Sequence, residues 1–317
     1  MQVWRGLDAV PGDWPGSVVS IGVYDGVHRG HRTILDRAVA EARARDAASV
    51  VVTFDPHPAA VVGRPVPLML GNLHNRARWL SEVGIDALLI LAFTRELSER
   101  SPEEFVDLVL ADRLHAVHVV VGENFRFGHK QAGDVTLLAE LGLKAGFTVD
   151  AVALVRGGEE AFSSTYIRNR LAEGDVEAAA EALGRPHRVE GPVVRGDARG
   201  KQLGYPTANL DVLDGMAVPG DGVYAGYLVR FAQQGQSRRS GERMPAAISV
   251  GTNPTFDGTE RRVEAYVLDA DIDLYGEHVA VEFTHRLRGM VRFDGIEPLV
   301  EQMGEDVRRT RELLAVL

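Results

Sequence analysis

Between residues 17 and 155 the chain alternates short apolar runs with amphipathic stretches, and this alternation most narrows the folds open to it. The runs at 17–23, 48–54, 87–93, 116–121 and 147–155 read as buried strands. Near-continuous apolar stretches of that length suit strands covered on both faces. Helical periodicity falls between them, at 31–44, 73–83, 102–113 and 135–145. Ser101 and Glu104 give the third helix a capping box, with Pro102 at its first position. Strand-helix units in series are expected to build a mostly parallel, Rossmann-like α/β sheet.

The pattern then changes. Helical stretches at 167–172 and 176–183 end at Gly184, Arg185 and Pro186. From His187 to about Phe283, short β-prone runs at 222–229, 246–250, 263–268 and 279–283 are separated by Gly, Asp and Asn, which predicts a small antiparallel β-barrel. Ile296, Leu299, Val300, Met303, Val307 and Leu314 follow the helical period and predict one closing C-terminal helix. With 317 residues and a norm of roughly 150 per domain, two domains are expected, 1–186 and 187–317.

The absence of cysteine excludes disulfides, thiolate metal sites and cysteine nucleophiles. A formal charge of −10 argues against a nucleic-acid binder held by diffuse electrostatics, though not against nucleotide substrates, which need only local cations and amides. No apolar run approaches the roughly 20 residues that span a bilayer, and Asp8 and Asp13 interrupt the first residues before a signal core forms. A cytoplasmic protein without membrane or nucleic-acid partners is expected; oligomeric state is left open.

Gly22, Val23, Tyr24, Asp25, Gly26, Val27, His28, Arg29, Gly30 and His31 run off the first strand into the first helix, where an α/β sheet places phosphates. By itself this segment also reads as a glycine turn with incidental histidines, or as part of a metal site. Three further clusters join it: Thr53 to Pro58 with His57 at its centre, Gly122 to Gly128 with Asn124 and Arg126, and Ser163 to Arg168. Polar loops at the ends of successive strands point to a nucleotide site.

In this order the four segments resemble the adenylyltransferase module of bacterial bifunctional riboflavin kinase/FMN adenylyltransferase, within the His-x-Gly-His nucleotidyltransferases. The resemblance implies that Gly22, Asp25, Gly30 and the catalytic His28 and His31 face ATP. It also implies that Asn124 lies in the nucleotide and flavin cleft, with His57 and Arg126 on the flavin side, and that Ser164, Thr165 and Arg168 grip the departing pyrophosphate. Tyr24 stands where the family usually has Phe.

The second half has no phosphate-binding Gly-x-x-x-x-Gly-Lys-Ser/Thr: only three residues separate Gly196 from Gly200, and Gln202 follows Lys201. Instead Gly191 to Asn209, the run Gly251 to Phe256, and 263–268 resemble the riboflavin kinase half of the same family. That resemblance implies a flap over ATP formed by Gly196, Arg199 and Lys201, with Mg²⁺ at Thr207 and Asn209. Glu264 would be the base for the ribityl hydroxyl, and Arg288 and Phe293 would lie on the flavin side. Without those neighbours Glu264 reads as the solvent-facing partner of Val263. The expected activity is riboflavin plus ATP to FMN, then FMN plus ATP to FAD and pyrophosphate. The rivals are a flavin-binding regulatory protein that has lost turnover, and a phosphohydrolase built on His28, His31 and His57.

Overall fold

The structure, a computed structural model, describes residues 1–158, 160–196, 200, 203–231, 241–252, 261–270 and 272–315. Arg199 and Lys201, and the expected run through Asn253, Pro254, Thr255 and Phe256, lie outside the described residues. Two compact units divide the chain: Met1–Pro67 with Asn72–Ser163, and Leu68–Gly71 with the chain from Ser164 onward.

In the first unit six parallel strands form one sheet: β1 (Gln2–Arg5), β2 (Ser17–Ile21), β3 (Ala48–Asp55), β4 (Ala87–Ala92), β5 (Ala116–Gly122) and β6 (Thr148–Val152). Their spatial order is β1-β4-β3-β2-β5-β6, and β7 (Arg156–Gly157) and β8 (Glu160–Ala161) form a separate two-stranded antiparallel ribbon. All five residues of β2 are buried, as its unbroken apolar run requires for a strand covered on both faces. The covering helices are α1 (Arg29–Ala44), α3 (Leu73–Val83) and α6 (Val135–Ala145), with the short α2 (Pro58–Val61), α4 (Arg95–Glu99) and α5 (Pro102–Phe105) between them. Leu35, Ala38, Val39 and Ala42 are the buried face of α1. The expected capping box closes on α5: Ser101 Oγ accepts from the Glu104 amide, and the Glu104 carboxylate from the Ser101 amide. The helix read over 102–113 then differs from expectation. It widens into a π-helix over Val106–Ala111, which turns Val106, Val109 and Leu110 into the core.

Chain order reverses at the centre of this sheet. From β2 the chain steps outward through β3 to β4, then returns to the other side of β2 to form β5. The carboxyl ends of β2 and β5 therefore flank a switch point, where neighbouring connections leave in opposite directions and a crevice opens.

In the second unit α7 (Ser164–Glu173) and α8 (Val176–Leu183) precede a closed antiparallel barrel. Its strands are β9 (His187–Val194), β10 (Ala208–Leu210), β11 (Gly222–Arg230), β12 (Glu242–Thr252), β13 (Arg261–Val267) and β14 (His278–Arg288), in the order β10-β13-β12-β11-β14-β9. The helix α9 (Ile296–Leu313) follows. Strict alternation on β13 buries Val263, Ala265 and Val267 and leaves Arg262, Glu264 and Tyr266 on the wetter face. The two helices pack on the barrel. The Gly220 amide donates to the Leu171 carbonyl, Arg286 donates to the Glu173 carbonyl, and Val176, Ala179, Ala182 and Leu183 are buried. A fragment beginning at Ser164 should therefore melt several degrees higher than one beginning at His187, measured by calorimetry. Equal melting would show that α7 and α8 add nothing to the barrel.

His187 is wholly buried and donates from Nε2 to the Ala217 carbonyl at 2.8 Å. Burial is the main cause that pushes its pKa down to about 4, with Arg185 adding to it. Between pH 6.5 and 4 the unfolded chain binds a proton that the folded chain refuses, so stability rises with pH across this window and is lost as pH falls. The loss amounts to about 3 kcal/mol at most. His187→Gln should flatten that part of the pH-stability curve, as read by urea unfolding.

Candidate functional site

The turn between β2 and α1 is held in a conformation that its own residues resist. Tyr24 (φ 51°) and Val27 (φ 37°) are left-handed without being glycine, and Gly26 lies between them at φ 78°. Such residues cost of order 1–3 kcal/mol each, and the turn persists because its surroundings fix it. Tyr24 is buried, and its hydroxyl lies 2.5 Å from Ser20 Oγ, which itself donates to the Val120 carbonyl at 2.6 Å. Since the Ser20 proton is engaged on Val120, Tyr24 must be the donor. Burial pushes the Tyr24 hydroxyl well above its ordinary range, so it stays protonated. A Cβ on Gly30 would lie 3.2 Å from both the His28 ring and the Phe162 carbonyl, so glycine there permits the close approach.

His28 is the N-cap of α1. Its Nδ1 accepts from the His31 amide at 3.3 Å, which assigns the ring proton to Nε2. The His31 ring stacks on His28 at 3.6 Å between centroids and meets the Tyr24 ring edge-on at 5.0 Å. His57 is used in the same way at the end of β3, where its Nδ1 accepts from the Ala59 amide at 3.1 Å. Both imidazoles thus close a helix start through one nitrogen.

The expected residues at the neighbouring strand ends are placed as follows. Gly22 continues the β2 ladder by donating to the Val52 carbonyl. Asp25 is almost wholly buried, so its carboxylate works inside the turn rather than on its surface. Asn124 is exposed in the turn after β5; a Cβ on Gly122 would touch both Asn124 Oδ1 and Ile34, one helical turn after His31. Asn124 therefore shares the His31 side of α1. Arg126 is exposed and paired with Asp134 at 3.0 Å. Ser164, Thr165 and Arg168 open α7 in the second unit, where Arg168 Nε donates to the Leu68 carbonyl at 2.6 Å.

In the barrel, backbone register sets Asn209 opposite Glu264, and Ser249 opposite Glu264 on its other side. Thr207 Oγ1 donates to Glu264 Oε2 at 3.3 Å. Asn209 Nδ2 reaches the Thr207 carbonyl at 3.5 Å, which turns Oδ1 away from it. Gly196 is the close neighbour, since a Cβ there would collide with the Asn209 amide group. A hydroxyl, an amide oxygen and a carboxylate are thus brought together, all hard donors that fit a small divalent cation. Among the described residues no group of three His, Cys, Asp or Glu could hold a metal ion unaided. The ring pair Tyr205 and Tyr266, at 5.3 Å, flanks this patch and carried no signal in the sequence beyond ordinary strand aromatics.

Arg288 is fixed by the protein itself: it clasps Asp306 on α9 at 2.7 to 3.1 Å, and the Gly289 carbonyl takes a further donor. Phe293 lies 5.9 Å from the guanidinium, so the two expected residues are neighbours. Asp306, the anchor between them and α9, was not legible as more than a polar residue on a helix.

Residues 10–166 match the family model of FAD synthetase, and residues 183–314 that of riboflavin kinase. The chain is 38% identical, over 99% of its length and 98% of the relative's, to the bifunctional riboflavin kinase/FMN adenylyltransferase of Pseudomonas fluorescens. It is 35% identical to that of Listeria monocytogenes over 95% of this chain and 93% of the relative. A solved structure from Streptococcus pneumoniae, described as a macrolide-efflux protein, is 32% identical and superposes with a TM-score of 0.88 over 98% of this chain and 99% of that one. Among the described residues no helix is long and apolar enough to cross a membrane. With identities of this size over nearly the full length of both partners, the chain belongs to the bifunctional riboflavin kinase/FMN adenylyltransferase family.

Proposed function

We propose that this transferase makes FMN from riboflavin and ATP in its C-terminal half, residues 187–317, and FAD from FMN and ATP in its N-terminal half, residues 1–186, as a cytoplasmic enzyme. The observation that carries the reading is the strained, buried turn at the sheet's switch point, which presents two stacked histidines and a helix N-terminus where a nucleotide's phosphates would lie.

For the adenylyl step the nucleophile is the phosphate of FMN, which is already largely ionised near neutral pH. One of its oxygens forms a bond to the α-phosphorus of ATP while the bond to the β-phosphate oxygen breaks, and pyrophosphate leaves. No proton has to be removed, so alignment and charge neutralisation are what the site must supply. His28 and His31 would face ATP, with Asn124 on the flavin side of the cleft. Ser164, Thr165 and Arg168 would serve the leaving pyrophosphate, a role that rests on their match to the family pattern.

The kinase step differs because an alcohol must lose its proton as it attacks. The ribityl hydroxyl bonds to the γ-phosphorus, ADP departs, and Glu264 takes the proton. Thr207 and Asn209 would hold Mg²⁺, which would neutralise charge on the ATP phosphates. The Thr207 hydroxyl already orients the Glu264 carboxylate, a support for its role as the base.

Incubating the chain with riboflavin, ATP and Mg²⁺ tests the reading directly: FMN should appear first and FAD after it. In His31→Ala, FAD formation should fall by about 10²-fold or more while FMN still accumulates. Undiminished FAD synthesis would take His31 out of the site. Glu264→Gln keeps an oxygen that Thr207 can bond, so the fold should survive while riboflavin phosphorylation slows by about 10² to 10⁴. Adenylylation of added FMN should proceed at the parent rate in that variant; a kinase within a few-fold of the parent would reduce Glu264 to a strand residue.

A further inference from the structure

Helix α3 carries a cation in its apolar stripe. Leu73, Arg76, Leu80 and Val83 fall at helical spacing, and Arg76 is 5% exposed. A buried guanidinium has to be matched by opposite charge and by acceptors, because it stays ionised. One donor is matched: Arg76 Nη1 bonds Thr53 Oγ1 at 3.1 Å, and that hydroxyl bonds the Val23 carbonyl at 3.1 Å. Arg76 Nε has no hydrogen-bond partner among the described residues. Two carboxylates act on its charge, Asp25 more strongly than Asp55. Asp55 is exposed and screened by water, whereas Asp25 is 2% exposed and sits within the strained turn.

These facts converge on one segment. Val23 and Asp25 flank Tyr24, one of the two residues forced to positive φ, and His28 follows Val27, the other. We propose that Arg76 is a positioning residue for adenylyl transfer: from beneath the turn, its buried charge holds the Asp25 carboxylate while its bond to Thr53 holds the Val23 carbonyl, so that His28 and His31 are presented in their stacked geometry. Its neighbour Asn75 completes the capping box of α3 with Asn72, which fixes the helix from which Arg76 projects. This role rests on the adenylyltransferase reading of the first unit, and it separates two contributions: charge, which acts on Asp25, and hydrogen bonding, which acts on Val23 through Thr53.

The test uses the full-length chain, in which riboflavin phosphorylation serves as an internal control. In Arg76→Gln, a donor to Thr53 is kept and the charge is lost. Its kcat for adenylylation of added FMN should fall by about 10- to 100-fold, with KM for ATP changed by less than about three-fold and the kinase rate within about two-fold of the parent. Arg76→Lys, which keeps the charge, should be several-fold faster than the Gln variant. In Arg76→Ala, low-millimolar guanidinium should restore adenylylation, whereas the same concentration of urea, neutral and of like shape, should not. An Arg76→Gln adenylylation rate within about two-fold of the parent would overturn the proposal. So would a Lys variant as slow as the Gln variant, or restoration by urea equal to that by guanidinium. A parent chain that makes FMN but no FAD would remove the adenylyltransferase reading itself, a result told apart from these because it concerns the unmutated chain.

Discussion

The Tyr24 hydroxyl donates to Ser20, and Ser20 to the Val120 carbonyl, and this buried relay joins the turn after β2 to the strand on the far side of the switch point. Hydrogen bonds made in a dry interior stabilise more firmly than exposed ones, and an orphaned member would be costly, so the relay fixes its members together. With the tyrosine ring fixed, His31 has an edge to pack on, His28 has a ring to stack on, and α1 can begin at an imidazole. Sheet, turn and helix start therefore depend on one pair of hydroxyls. A phenylalanine at position 24 would lack the second of them and could not make the bond that ties the turn to the sheet.

The two halves place different chemistry on unlike scaffolds for a physical reason. A nucleophile that arrives ionised needs cations and amides, which a helix N-terminus at a parallel-sheet switch point offers without any carboxylate at the reacting atoms. An alcohol needs an acceptor for its proton, and in the proposed kinase site Glu264 would be that acceptor: Asn209 and Glu264 face one another because β10 and β13 pair in that frame and no other. A slip of one residue would turn Glu264 into the barrel core in place of Val263.

Much of this was legible in the residues. The apolar runs gave the parallel strands because β2, β3 and β4 are buried on both faces, and the capping signals of Ser101 and Glu104 marked a helix start that the structure contains. The barrel and the closing helix followed from texture and period. What could not be read has specific causes. Strand β10 has three residues, too few for any period, and β1 reads as polar because it lies at an edge. Residue order places His28 and His31 toward ATP and His57 on the flavin side by resemblance, but that His28 and His57 cap helices through Nδ1 depends on ring rotation, which spacing does not encode. Arg76 left a signal, a charge within an apolar helical stripe, yet only three-dimensional neighbours reveal that it lies under the turn.

The closure of the barrel has a consequence for the order in which the protein is made. Strand β9 opens the barrel sequence and meets β10 through Val193 and Val194, but its longer pairing is with β14, from His278 opposite Pro192 to Phe283 opposite His187. During synthesis the end of β9 can pair with β10 early, but the rest of it leaves the ribosome long before β14 exists, and the barrel cannot close until residue 288 has emerged. The first unit has waits of its own, since β1 pairs with β4 and β2 with β5, but all of its sheet strands are complete by Val152. Domains generally fold as units from the N-terminus during synthesis, and non-local pairings form slowly. The nascent chain therefore passes through a stage with a finished parallel sheet and an open barrel, in which β9 can hold β10 but still lacks β14, and its buried Val189 is the residue a chaperone would need to shield.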